Sequence, residues 1–252
     1  MKRQKSIIDK LLPIGVFGLI ILLWLVLSTA EVIPAYMLPS PVKVIQAFIA
    51  DFDIIMEHAG YTLAESALGL VLSIAIGFVC AVVMDRFVYI KKAFYPLLVI
   101  TQTVPVIAIA PLLILWFSYG MAPKILLVII VCFFPMTVGF LDGFASADPD
   151  EIKLLRSMGA NSIQVFRHLK LPHSLPHFFA GLKISASYCI LAAVTSEWLG
   201  GVNGLGVYMT RVKKSYAFDK MFAVIILVSV LSLLLMGLIS LLEKKLMPYR
   251  NR

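Results

Sequence analysis

Residues 148–172 read DPDEIKLLRSMGANSIQVFRHLKLP, a polar stretch set between two long apolar runs. Asp148 can cap a helix, Pro149 suits its first turn, and Glu151 can reach back as in a capping box. The helix continues through Ile152, Leu154, Leu155 and Met158, and Gly159 ends it, because glycine accepts the left-handed conformation that a helix terminus needs. A second short helix is predicted over 162–168, with Ile163, Phe166 and Leu169 on one face, and Leu171-Pro172 closes the unit. Two short helices with apolar faces either dock in a partner's groove or fold back on their own chain.

The surroundings decide what kind of chain carries this insertion. Of 252 residues, 61% are hydrophobic and 14% charged, with mean hydropathy +0.97. A soluble domain carries about 45–50% apolar and about 25% charged residues, so this chain needs a solvent other than water. Six apolar runs, at about 12–29, 62–84, 95–117, 123–141, 178–199 and 221–242, can each cross a hydrocarbon core about 30 Å thick. They are continuous rather than alternating, which predicts helices and excludes a barrel. The expected fold is all-α, a single polytopic domain over 1–252. The first run follows Lys2, Arg3, Lys5 and Lys10; it is longer than a secretory signal core of about 7–15 residues, and is read as an uncleaved first helix.

The net charge of +8 would suggest nucleic acid in a soluble protein. Here it follows from basic loops on the cytoplasmic side. With the N-terminus inside, the internal segments hold fifteen Lys and Arg residues and the external loops six: Lys43, Lys124, Arg211, Lys213, Lys214 and Lys220. Both termini are therefore expected in the cytoplasm, and nucleic-acid binding is not. Cys80, Cys132 and Cys189 lie scattered in apolar runs and make neither a disulfide framework nor a metal site.

Several polar residues stand inside or beside spans, where ionised groups are costly and must face protein or water. Glu65 and Glu197 are read either as pathway residues or as carboxylates held for structural reasons. Gln102 and Thr103 adjoin Pro105, which interrupts the third span; such a break lines a solute route or is a packing kink. Gly69, Ser73 and Gly77 permit close helix approach. His58 and His168 are expected in solvent. Residues 31–61 contain Leu38-Pro39-Ser40-Pro41 and then a mildly amphipathic helix over 42–58.

The 148–172 stretch resembles the cytoplasmic loop of ATP-binding-cassette importer permeases: Lys153-Leu154-Leu155, three residues, Gly159, nine residues, then Leu169-Lys170-Leu171-Pro172, placed between the fourth and fifth spans. The family's Glu-Ala-Ala triplet is replaced by Lys153-Leu154-Leu155. Further matching stretches are Thr101-Gln102-Thr103-Val104-Pro105, Gly181-Leu182-Lys183 and Ser196-Glu197-Trp198-Leu199-Gly200-Gly201. They resemble the branch that serves nitrate, sulfonates, taurine and thiamine-type pyrimidine precursors, with riboflavin permeases nearby.

The resemblance implies a type I importer permease of the MetI-like fold in the bacterial inner membrane. It implies a second permease copy as a homodimer partner, two copies of an ATPase subunit and an extracytoplasmic binding protein. The ATPase contact falls on Leu154, Leu155, Met158, Gly159, Ala160, Ile163, Phe166, Leu171 and Pro172. The chain contains no Gly-Lys dipeptide and hence no phosphate-cradling loop of its own, so ATP and Mg are expected on the partner. A proton-coupled secondary transporter using Glu65 and Glu197 is the competing class.

Overall fold

In the computed structural model, residues 7–30, 33–34 and 36–247 are described, and all regular structure among them is helical. The basic start at Lys2, Arg3 and Lys5 and the terminal Arg250 and Arg252 lie outside these residues. The helices are α1 (Ile7–Thr29), α2 (Pro41–Ala50), α3 (Phe52–Arg86), α4 (Val88–Thr101), α5 (Val106–Phe117), α6 (Met121–Ala145), α7 (Pro149–Ser157), α8 (Ser162–Val165), α9 (Leu171–Leu199), α10 (Leu205–Lys214) and α11 (Phe218–Leu246). A π-helical turn, Phe166–Lys170, joins α8 to α9 without a break.

Among the described residues, four helical runs are long and apolar enough to cross a membrane, fewer than the six apolar runs of the sequence: α3, α6, the run Ser162–Leu199, and α11. The α4–α5 pair is a fifth only as a broken span, bent by 100°. That bend falls where Gln102, Thr103 and Pro105 stand, so the third apolar run is not one straight helix. The α1 helix has 23 residues, which at about 1.5 Å per residue is about 35 Å.

The chain separates into two compact units. One holds the residues up to Met56 together with Tyr208–Leu227. There Ser40 caps α2 by accepting the Lys43 N–H, with Pro41 in the first turn. Trp24 donates to the Pro39 carbonyl (3.0 Å) and its ring lies 6.0 Å from that of Phe222. Asp51 accepts hydrogen bonds from Tyr208 and Lys220, both at 2.6 Å. The amphipathic helix expected over 42–58 stops at Ala50; Phe52 already opens α3, which begins ten residues before the predicted span.

The other unit, Glu57–Val207 with the residues from Val228, is built on α6. Small residues let α3 and α9 approach it closely. A Cβ on Gly69 would lie 2.5 Å from Val128, and one on Gly181 would lie 2.5 Å from the Pro135 carbonyl oxygen. Phe140 stacks on Phe178 at 5.1 Å, and Phe144 meets Phe166 at 5.1 Å. Lys183, inside the fifth span, is paired with Glu243 of α11.

Two more ion pairs lie at well-separated positions along α3. Glu65 pairs with Lys124 and Asp85 with Lys170. The twenty residues between Glu65 and Asp85 correspond to about 30 Å of helix, the thickness of a hydrocarbon core.

Candidate functional site: loop, clasp and cavity

The loop begins as its local chemistry dictates. Asp148 accepts the Asp150 N–H at 2.8 Å and Pro149 occupies the first turn of α7. The helix ends in a Schellman arrangement: Ala160 N–H donates to Leu155 O and Gly159 N–H to Arg156 O, both 3.0 Å, with Gly159 at φ +88°. The reciprocal capping box expected at Asp148 and Glu151 forms instead at Asn161 and Gln164, with bonds of 2.8 and 2.9 Å.

Beyond it the structure corrects the sequence reading. Leu171-Pro172 does not close the unit, because the helix runs on to Leu199. The wide π turn carries Leu171 N–H to Phe166 O, and Pro172, which has no N–H to offer, sits in the first turn of α9. That turn begins only at Phe166, after Ile163, and the two residues line one cavity beside Asp85 and Lys170. Ile163 is 76% exposed, whereas Phe166 packs inward on Phe144. Of the other predicted contact residues, Leu154, Met158 and Gly159 face solvent, Leu155 and Ala160 are half-buried, and Leu171 and Pro172 belong to α9.

A second constellation brings Glu65 and Glu197 together. One face of α3 carries His58, Thr62, Glu65 and Ser66, all buried. Glu197 accepts hydrogen bonds from Thr62 Oγ1 (2.8 Å) and from the Gly206 N–H (2.6 Å). Thr62 in turn accepts the Leu205 N–H, and His58 Nδ1 accepts the Gly204 N–H, both at 2.9 Å. The first N–H groups of α10, which no helix can satisfy internally, are thus taken by side chains of α3 and α9. Lys124 donates to Glu65 (2.7 Å) and to the Asn203 carbonyl (2.9 Å). Gly204, at φ +122°, has Glu197 so close that an added Cβ would lie 2.2 Å from the carboxyl group. We call this arrangement the clasp.

His58 and Lys124 are corrections. His58 was expected in solvent and Lys124 was counted among the external-loop cations; both are buried with partners. The available signal was the spacing 58, 62, 65, 66, a polar row on one face of an otherwise apolar helix.

The third place is the helix break. Thr103 Oγ1 bonds back to Ile100 O (2.8 Å), Pro105 stands at the start of α5, and Gln102 lines a cavity of about 500 Å³. Pro135, Asp142, His177, Gly181 and Tyr188 line it too. Of this set, the sequence pointed to Gln102 alone as a pathway residue.

Residues 73–248 match the family described as binding-protein-dependent transport system inner membrane component. The chain belongs to this family. It is the permease component of an ATP-binding-cassette importer, a multi-pass inner-membrane protein. The permease is 34% identical, over the whole of both chains, to the formylaminopyrimidine transport permease protein ThiX of Halalkalibacterium halodurans. It is 28% identical to a Bacillus subtilis protein named as an aliphatic sulfonates transport permease, covering 93% of this chain and 86% of the other. An amino acid ABC transporter crystallised with histidines shares the fold: TM-score 0.66 at 15% identity, over 79% of the permease and 97% of that chain. The loop and Glu197 fall within the matched family stretch, whereas His58, Thr62 and Glu65 precede it.

Proposed function

We propose that this permease works as one of two identical copies that pass a pyrimidine precursor of thiamine into the cytoplasm. An extracytoplasmic protein delivers the solute, and two ATPase subunits, holding the ATP and Mg, drive the cycle. The observation that carries the coupling is the loop itself. Two well-capped helices hold Leu154, Met158 and Ile163 61–76% exposed, an apolar surface that a finished loop would cover. Leu154, Leu155, Met158, Gly159, Ala160 and Ile163 form the ATPase contact, while Phe166, Leu171 and Pro172 anchor it to the bundle. The excess of Lys and Arg in the loop and terminal segments supports both termini inside.

For the solute, the full-length identity to a formylaminopyrimidine permease supports the pyrimidine reading over sulfonate, taurine, nitrate or riboflavin. The proton-coupled alternative is disfavoured by the engagement of Glu65 and Glu197 in the clasp. The test is uptake into proteoliposomes containing permease, ATPase and binding protein. Formylaminopyrimidine uptake should require ATP and survive a proton ionophore. Uptake that collapses with the ionophore while ATP stays high would overturn the reading.

A further inference from the structure

We infer that the cavity at the α4–α5 break is the permease's own solute site and that it takes an uncharged or cationic nitrogen heterocycle, not an anion. The inference rests on the importer reading above and adds to it a place and a chemistry.

The cavity volume, about 500 Å³, lies within the range of about 300–1,000 Å³ usual for small-molecule sites. Its floor exists because side chains are missing. Gly139 and Gly181 bring α6 and α9 into backbone contact; a Cβ on Gly139 would stand 3.0 Å from the His177 carbonyl oxygen. Pro135 has no N–H for the carbonyl of Val131, and both residues line the space. A released carbonyl in an apolar helix is an acceptor looking for a donor.

The charge pattern selects the ligand. Asp142 contributes a carboxylate, and no Lys or Arg is among the lining residues. A sulfonate or nitrate entering here would meet the Asp142 carboxylate with no lining cation to offset it. A flat heterocycle bearing amino groups meets the opposite situation. Its N–H groups have Asp142 and the Val131 carbonyl to donate to, the Gln102 amide both donates and accepts, and Phe134 and Tyr188 supply aromatic walls. His177 also lines the cavity, from α9. The carboxylate, imidazole, amide and phenol come from three separate segments of the chain.

The test uses the assembled transporter in proteoliposomes, with formylaminopyrimidine as probe and ethanesulfonate as the contrasting anion. Ile184→Cys places a thiol on the cavity wall, and Val202→Cys, at a residue 70% exposed and outside the cavity, serves as control. Saturating probe should slow maleimide labelling of the Ile184→Cys protein about tenfold and leave the control unchanged, while ethanesulfonate slows neither. Adding Asp142→Asn should raise the probe concentration needed for protection by about tenfold, the worth of one hydrogen bond to a charged group. Equal protection by both compounds, or none by the probe, overturns the inference. So does an Ile184→Cys thiol that no maleimide reaches in the assembly, which would place the second permease copy over the cavity. ATP-driven uptake of the probe by the unsubstituted transporter, measured alongside, separates the two readings. Uptake without protection sinks the site alone, and no uptake sinks the solute assignment beneath it.

Discussion

At one end of α3, the side chains of Lys124 and Glu65 are 5% and 1% exposed, and the backbone donors that open α10 are matched to side-chain acceptors. Some 20 residues along the same helix, Asp85 and Lys170 pair at 2.8 Å with 22% exposure each, beside a loop that leaves Met158 and Ile163 three-quarters exposed. The clasp draws its partners from a single chain, with Glu65 Oε2 alone of its carboxylate oxygens left buried without a hydrogen bond. The loop is complete in its backbone, with cap, terminator and capping box, but its apolar side chains are uncovered. Internal burial marks a part whose task is to hold position. Apolar exposure on a rigid backbone marks a part that a partner completes.

The comparison breaks most sharply at Lys124. Lys124→Met leaves Glu65 buried without its cation and frees the Asn203 carbonyl; removing one partner of a buried pair costs about 3–5 kcal/mol. The variant should show a markedly lower unfolding temperature in lipid nanodiscs. Adding Glu65→Leu removes the orphaned charge and should restore most of the loss. A Lys124→Met protein as stable as the original would show that the clasp does not hold the fold.

Gly159 tests the loop's backbone. Its φ of +88° is unfavourable for a side chain, and no atom lies within 4 Å of an added Cβ. Within the chain, Gly159→Val therefore acts through backbone strain alone, about 1–2 kcal/mol. Hydrolysis by the assembled transporter should continue while uptake falls. Gly159→Asn, which tolerates the same conformation, should keep most uptake. Equal behaviour of the two variants would remove the terminator from the coupling argument.

The smallest stability change belongs to the exposed side chains. Leu154→Glu combined with Met158→Glu should shift stability by no more than about 0.5 kcal/mol per site, yet abolish copurification of the ATPase. Retained association would leave the loop's exposed face without a role.

What the sequence made legible follows the range of each interaction. The start of α7 at Asp148 and its end at Gly159 depend on neighbours within a few residues, and the structure has both in place. The continuity of helix through Pro172 was not legible, since a π turn's wider bond carries no residue signature. Lys124 was counted as a loop cation because its partner, Glu65, is 59 positions away. His58 was misread for the same reason; its partner, the Gly204 N–H, lies 146 positions on. The prolines located the third-span break, but the 100° angle and the grouping of Gln102 with Asp142, His177 and Tyr188 arise only from packing.

A partly exposed ion pair in the other unit sets the scale for the clasp. The Lys220 hydrogen bond, followed by that of Tyr208, holds the Asp51 carboxyl below its ordinary value, against an opposing effect of burial. A folded-state pKa below the unfolded one means stabilisation at every pH above the unfolded value, about 4, and its loss as pH falls through the folded value. Because the Lys220 side chain is 34% exposed, solvent screens the pair and the effect is small. Acid titration of thermal stability should show a shallow decline beginning below about pH 4, and Asp51→Asn should flatten that part of the curve while leaving neutral-pH stability slightly reduced. The Lys124→Met loss should instead be plain at neutral pH, because its origin is an unpaired buried charge. If the two variants lost stability equally at neutral pH, burial would not be what separates the clasp from an ordinary surface ion pair.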